Sequence, residues 1–185
     1  MGPFPIETER LVLREFRAKD EAAVHAYASD AETTRFTDWG PNDREQTRVI
    51  LESWLLQQRS WPRESMPLAI ELKSEGLLIG GTGFTPLDLQ AQTAVFGYVL
   101  HRSYWGCGYA TEASRALLTF GFGVLGLHRI TAGCDVLNTA SYHVLEKLGM
   151  RREAHHQKDA KKHGRWRDTY VYAVLSDEWR AISGR

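Results

Sequence analysis

Cysteine is scarce in this chain: Cys107 and Cys134 are the only two. Two cysteines build no disulfide framework, and their spacing matches no metal site, so no metal is expected. A net charge is missing as well. Lys plus Arg and Asp plus Glu both number 23, for a formal charge of zero. That balance argues against bulk attraction to nucleic acid or to an acidic membrane surface and leaves only a local basic patch open. No run approaches the roughly 18 apolar residues of a membrane-spanning helix, and no basic-then-apolar leader is seen. Internal repeats, low-complexity tracts and linkers are lacking too. The expectation is a cytoplasmic protein in which residues 1–185 form one domain. With 43% apolar and 25% charged residues, such a chain can bury a sizeable core.

Periodicity supplies the elements. Residues 9–17 alternate as a strand, with Leu11 and Leu13 on one face and Val12 and Phe16 on the other; 19–29 follow as a helix carrying Ala22, Ala23, Ala26 and Tyr27 at helical spacing. Asn42, with Glu45 reaching back, predicts a capped helix running to about Arg59, with Ile50, Leu51, Trp54 and Leu55 inward. Residues 67–73 and 77–85 predict a hairpin about Ser74-Glu75-Gly76, and 93–100 a further strand. From Thr111 the spacing becomes helical: Ala113, Ala116, Leu117, Phe120, Gly121 and Val124 form one apolar stripe, closed near Gly126. A strand over 128–134, a helix over 139–148 and strands near 150–156 and 168–175 complete the order. The polar, basic segment 157–167 reads as a loop. Strands and helices mixed in this order predict an α/β or α+β domain about one central sheet.

Two motifs carry chemistry. The first is Trp105-Gly106-Cys107-Gly108-Tyr109-Ala110-Thr111-Glu112, between a strand and a helix. Glycines permit a sharp turn and close backbone approach, and a helix opening there presents unpaired N–H groups and its positive dipole end, a site for phosphate or pyrophosphate. Alone, the octapeptide is equally compatible with a plain strand-to-helix turn. No Lys-Ser/Thr pair follows it and it lies mid-chain after antiparallel strands, which sets aside a P-loop or an opening dinucleotide-binding unit. The second is Asp135-Val136-Leu137-Asn138-Thr139-Ala140-Ser141. There Asn138 reads as a helix cap and Gly149 as a helix stop.

Together these motifs resemble the GNAT superfamily of acyl-CoA-dependent N-acetyltransferases, and within it the branch that acetylates ribosomal-protein N-termini. The resemblance spans nearly the whole chain: Ile6-Glu7-Thr8-Glu9-Arg10-Leu11-Val12-Leu13-Arg14, Gly97-Tyr98-Val99-Leu100, Tyr104 to Ala113, Asn138 to Ser141, and Gly164-Arg165-Trp166-Arg167-Asp168. It implies a single GNAT-like domain, with a mostly antiparallel mixed sheet splayed at the cofactor site and flanked by helices. It also implies acetyl-CoA as cosubstrate. Backbone amides of Gly106, Cys107, Gly108, Tyr109, Ala110 and Thr111 would hold its pyrophosphate, with Cys107 giving only its N–H. A bulge beside the motif would free main-chain groups of Val99 and Leu100 for the pantetheine arm, one N–H facing the thioester oxygen. Asn138 would bond the pantetheine region. Ser141 would donate to the departing thiolate, or else bond its own helix.

The chain departs from its relatives at two acid–base positions. Val95 stands where many carry Glu, and Leu145 where many carry Tyr. Asp168 is the first candidate for the base, its alternative being a carboxylate paired with a nearby arginine; His101, Glu71, His143 and Asp38 are the others. The basic residues Lys158, Lys161, Lys162, His163, Arg165 and Arg167 read as a solvated tip, or as contacts for an acidic acceptor or a ribose phosphate. Phe36, Trp39, Trp54 and Trp61 read as core under the acceptor cleft, with Trp39 alternatively at its entrance. The expected activity is acetyl transfer to a primary amine: a protein N-terminus, a polyamine, an amino acid or an antibiotic. A non-catalytic acyl-CoA sensor is the alternative. Monomer and homodimer are both compatible with the chain.

Overall fold

Leu11 and Leu13 are fully buried on one face of their strand, while Phe16 packs on the other face of the sheet. This alternation organises the whole molecule. The computed structural model describes residues 4–162 and 164–183. One eight-stranded sheet runs in the order β1-β2-β3-β4-β5-β6-β8-β7. β1 (Ile6–Glu7), β2 (Leu11–Arg14), β3 (Met66–Leu72), β4 (Leu77–Asp88) and β5 (Thr93–Leu100) pair antiparallel in chain order. β5 then meets β6 (Arg129–Asp135) in parallel, which demands a crossover, and α3 (Tyr109–Gly123) provides it. β8 (Arg165–Leu175) lies beside β6, and β7 (Arg151–Lys162) forms the far edge, both antiparallel.

Helices cover the two faces unequally. α3, α4 (Thr139–Lys147) and α5 (Ser176–Ser183) close the larger core over Leu68, Ile70, Phe84, Phe96 and Ile130. α1 (Glu21–Ala28) and α2 (Arg44–Gln57) close a smaller one of Phe16, Val24, Tyr27, Ala28, Leu51 and Ala69. β3 is therefore buried on both faces and reads as a nearly continuous apolar run. Among the described residues no helix is long and apolar enough to cross a membrane.

Four expectations shift. The cap of α2 is Asp43, one residue past Asn42: Asp43 Oδ1 accepts from Gln46 N (2.8 Å) and Gln46 Oε1 accepts from Asp43 N (2.9 Å). The sequence offers two overlapping boxes, and Asn42 is unavailable because its own N–H donates to the Ala28 carbonyl (2.8 Å). α3 begins at Tyr109, before Thr111, and ends at Gly123, with Gly126 in the turn beyond. Segment 157–167 is not a loop: β7 and β8 stay paired out to Lys162 and Arg165, with irregularities between Arg152 and Ala154 and between His156 and Ala160. This ribbon projects beyond the apolar core, so its strands lack the alternation that marks a half-buried strand, and a lysine-rich edge is protected against further pairing. His163 lies outside the described residues. α5, which buries Trp179, is an additional element.

Candidate active site

The sheet comes apart between β5 and β6. Only Thr93, Ala94 and Val95 pair with β6, at Arg129, Ile130 and Thr131. From Phe96 and Ala132 onward the two strands diverge. The cause lies next door on β4, where the register slips between Phe84 and Leu87, so that Thr85 and Pro86 together face Val95. Such a bulge bends its own strand and raises the local twist, which β5 follows while it stays paired to β4. His101 N donates to the Ile79 carbonyl (2.9 Å). Alternation along an antiparallel ladder then directs the main-chain groups of Val99 toward Gly81 and turns those of Tyr98 and Leu100 into the gap. The Leu100 carbonyl is covered by the Trp105 indole N–H (2.8 Å).

At the open end of the gap, β5 runs through the turn Arg102–Tyr104 into the glycine loop. Gly106 and Gly108 adopt φ +75° and +81°, a left-handed conformation that side chains resist. Gly108 is the N-cap of α3, and no side chain caps the helix. The N–H groups of Tyr109, Ala110 and Thr111 therefore have no acceptor inside the helix, and the first internal bond is Glu112 N to the Gly108 carbonyl (3.0 Å). The loop is exposed, and a Cβ at Gly106 would meet nothing within 4 Å. A diphosphate fits this cradle, because donors, helix dipole and clearance coincide. Cys107 is exposed, with Sγ 3.5 Å from the Trp105 carbonyl.

Two hydroxyls link β5 to α4, the helix that follows β6. Tyr98 Oη on β5 lies 3.3 Å from Ser141 Oγ on α4. Asn138 caps α4, its Oδ1 accepting from Ser141 N (3.1 Å), which leaves its NH2 group free of that bond. Burial pushes the Tyr98 phenol up to about 12 and the thiol of nearby Cys134 up to about 11, so both stay protonated at neutral pH. Leu145 is core. Tyr98 is not among the site residues expected from the sequence; a polar ring on a strand bordering the glycine loop is the signal that points to it.

Four of the five candidate bases are engaged elsewhere. Asp168 accepts from Lys158 N (3.0 Å) and pairs with His155 Nε2 (2.9 Å), and these bonds hold its carboxyl below the usual range. Its partner is thus a histidine of its own ribbon, not an arginine, and Ser141 is bonded to Tyr98 instead. Glu71 is bonded to Arg14 (2.6 Å). His143 pairs with Glu146 on the outside of α4, and His101 caps the turn before the glycine loop. Asp38 is exposed beside Lys162. Val95 lines a cavity of about 280 Å³ with Thr93, Thr131 and Arg129, on the face away from α3. Asp88, the carboxylate on its wall, already accepts from Ala91 N (2.8 Å).

The basic ribbon is a clamp. Lys162 is buried, and its ammonium donates to the carbonyls of Thr34 and Trp39 (3.1 Å for the latter). Burial, with Arg167 close by, lowers its pKa below the ordinary lysine range. Arg167 bonds Asp135 (2.8 Å) and the Arg35 carbonyl (3.1 Å) and lies over the Phe36 ring. Trp39 and Trp54 pack on the smaller core, as expected, but Trp61 is 85% exposed and belongs to no core. Lys162→Met should destabilise the protein by about 2 kcal/mol through the lost charged hydrogen bonds and speed amide exchange at Thr34 to Trp39. Unchanged exchange there would refute the clamp.

A family model described as "Acetyltransferase (GNAT) domain" matches residues 10–151. The chain is 36% identical over 174 residues to the uncharacterised N-acetyltransferase YnaD of Bacillus subtilis (strain 168), covering 94% of this chain and 98% of that protein. The crystal structure of a GNAT-family acetyltransferase from Bacillus anthracis superposes with a TM-score of 0.83 at 35% identity, over 94% of this chain and 99% of that one. Spermidine N-acetyltransferase from Vibrio cholerae, solved with CoA and spermine, shares the fold, with a TM-score of 0.82 at 18% identity over 93% of this chain and 99% of that one.

Proposed function

The chain belongs to the GNAT acetyltransferase family, and from that premise we propose that it transfers acetyl from acetyl-CoA to the α-amine of a peptide N-terminus. The observation that carries the reading is the splayed gap with an uncapped helix mouth at one end and the Tyr98–Ser141 pair inside it. Acetyl-CoA supplies an activated thioester carbonyl. The amides of Gly106 to Thr111 would hold its pyrophosphate, and main-chain groups of Leu100 with the Asn138 amide would hold its pantetheine arm. The main-chain groups of Val99, expected to join them, are turned to Gly81 of β4 instead.

In the reaction a C–N bond forms and the C–S bond breaks. The nitrogen gives up one proton to water, and the sulfur gains one through Ser141 Oγ, which takes a proton back from water. An N–H of the gap-facing strand stabilises the charge on the carbonyl oxygen. Tyr98 donates to Ser141 Oγ, which frees the Ser141 hydrogen to bond the departing sulfur. Asp168, bonded within its own ribbon, would act by holding that ribbon in shape beside the acceptor.

The choice of an α-amine follows from the engaged carboxylates. An α-amine titrates near 8, so about a tenth of it is neutral at pH 7 without any base, whereas a polyamine-like amine near 10.4 is neutral well below one part in a thousand. A site in which Asp168 and Glu71 are already bonded favours the former. This reading agrees with the likeness to the ribosomal-protein branch.

The test is release of CoA thiol from acetyl-CoA against peptides, spermidine, amino acids and aminoglycosides, with calorimetry of CoA binding beside it. Peptide acceptors should give the highest kcat/KM, rising with pH until the amine is deprotonated near 8. Release with spermidine alone would overturn the acceptor. Binding of CoA without release on any amine would make the protein a sensor, and no binding at millimolar CoA would overturn the site.

A further inference from the structure

Glu112 is an odd residue to find in a site for a diphosphate. Its carboxylate sits in the first turn of α3, four residues from Gly108, where it would repel a bound anion and compete with it for the same amides. The structure ties it down. Glu112 Oε1 accepts from Thr8 Oγ1 (2.6 Å) and from Arg10 N (2.9 Å). Glu112 Oε2 accepts from Arg10 Nε (2.7 Å) and pairs with Arg10 Nη2 (2.6 Å). Four donors fill the lone-pair sites of one carboxylate. Burial alone would raise the Glu112 pKa, but the bonds from Thr8 and Arg10 outweigh it and hold the group ionised.

The same guanidinium reaches the loop on the other side of Gly108. Arg10 Nη1 donates to the Cys107 carbonyl (3.0 Å), and its carbon lies 4.5 Å over the Tyr109 ring. A trans peptide points its C=O and the following N–H in opposite directions. With the Cys107 carbonyl drawn to Arg10, the Gly108 N–H must point away from Arg10. The charges of Arg10 and Glu112 cancel, so the pair adds little net field. What it adds is shape.

We propose that Arg10, locked to Glu112 and Thr8, is a positioning residue that holds the glycine loop in its anion-receiving form, so that removing the negative charge of Glu112 weakens CoA binding. This rests on the pyrophosphate reading of Gly106 to Thr111 given above. A charge-only view predicts the opposite sign for Glu112 and so separates the two.

The experiment is calorimetry of CoA and of phosphate-free pantetheine on the full chain, with kcat and KM for acetyl-CoA and S-acetylpantetheine. Glu112→Ala and Arg10→Ala should each raise the Kd of CoA about tenfold, the size of one or two charged hydrogen bonds. Because they act as a unit, the double variant should be no weaker than either single one. Arg10→Lys keeps the charge but not the fork, and it should bind CoA as poorly as Arg10→Ala. Pantetheine affinity and kcat/KM for S-acetylpantetheine should not move, a readout that general misfolding would shift; Glu112→Gln serves where Glu112→Ala fails to fold. Tighter or unchanged CoA binding by Glu112→Ala, or full binding by Arg10→Lys, would overturn the proposal. If the unaltered protein binds CoA no better than pantetheine, the pyrophosphate reading itself falls and takes the proposal with it.

Discussion

Ser141→Ala should lower kcat about a hundredfold, the low end of what a positioned proton donor contributes, while leaving the Kd of CoA nearly unchanged. Breaking the C–S bond places negative charge on sulfur inside a partly buried gap. There a donor is worth more than in water, because the competing solvent has been thinned. Ser141 Oγ is the hydroxyl that α4 brings to the gap, and its partner 3.3 Å away is Tyr98 Oη. With burial pushing its pKa up to about 12, Tyr98 is protonated at neutral pH. It therefore orients Ser141 instead of acting as a base. Tyr98→Phe should reproduce most of the loss, and the double variant should be little worse than Ser141→Ala, because the hydroxyls act in series. Single-turnover rates with saturating peptide and acetyl-CoA make the measurement. Full activity in Ser141→Ala would remove Ser141 from the chemistry and return its hydroxyl to the helix-bonding role.

Arg14→Ala should cost about 3–5 kcal/mol, the range for breaking a buried ion pair from one side. Arg14 is 7% exposed and Asp20 5%. Its Nη1 and Nη2 meet both Asp20 oxygens (2.7 and 3.0 Å), and its Nε meets Glu71 (2.6 Å). Asp20 also accepts from Arg17 N (2.8 Å), which ties the entry of α1 to the end of β2. Removing the guanidinium leaves a buried carboxylate without its counter-charge. For a domain of this size the loss corresponds to a fall in Tm of about 10 °C, out of a total stability on the order of 5–15 kcal/mol. Thermal unfolding followed by circular dichroism measures it. Once Arg14 is gone, Asp20→Asn should recover part of the loss, since it removes the stranded charge. A loss under about 1 kcal/mol would place the triad among the weak surface pairs. The network also accounts for Glu71: a carboxylate on an inner strand with a structural partner, not a base.

Much of this molecule was legible in the residues. Apolar patterning and turn residues predicted β3, β4, β5 and β6 closely, and the apolar stripe from Ala113 to Val124 predicted α3. The glycine loop was legible for a local reason: its turn, its missing cap and its free amides are properties of adjacent residues. The resemblance to the GNAT family rested on the same kind of short motif, and the fold and the family agree with it. The acceptor was not legible, because it depends on which groups remain free after folding. The cap of α2 missed by one residue since two boxes overlap, and tertiary contact at Asn42 chose between them. Segment 157–167, the outer part of the β7–β8 ribbon, reads as a loop because it carries no core pattern. Its pairing comes from its partner strand, not from burial.

By itself the sequence determined strands and helices about one central sheet, and a glycine turn opening one long helix. These follow from backbone preferences and polarity repeated over a few residues. Only the tertiary structure decided that Tyr98 meets Ser141, that Glu112 is disarmed by Arg10 and that Lys162 clamps Thr34, partners separated by 43, 102 and 128 positions. No local rule links such residues. A hydroxyl or a carboxylate advertises what it can bond, but the sheet's register and splay determine what comes within reach.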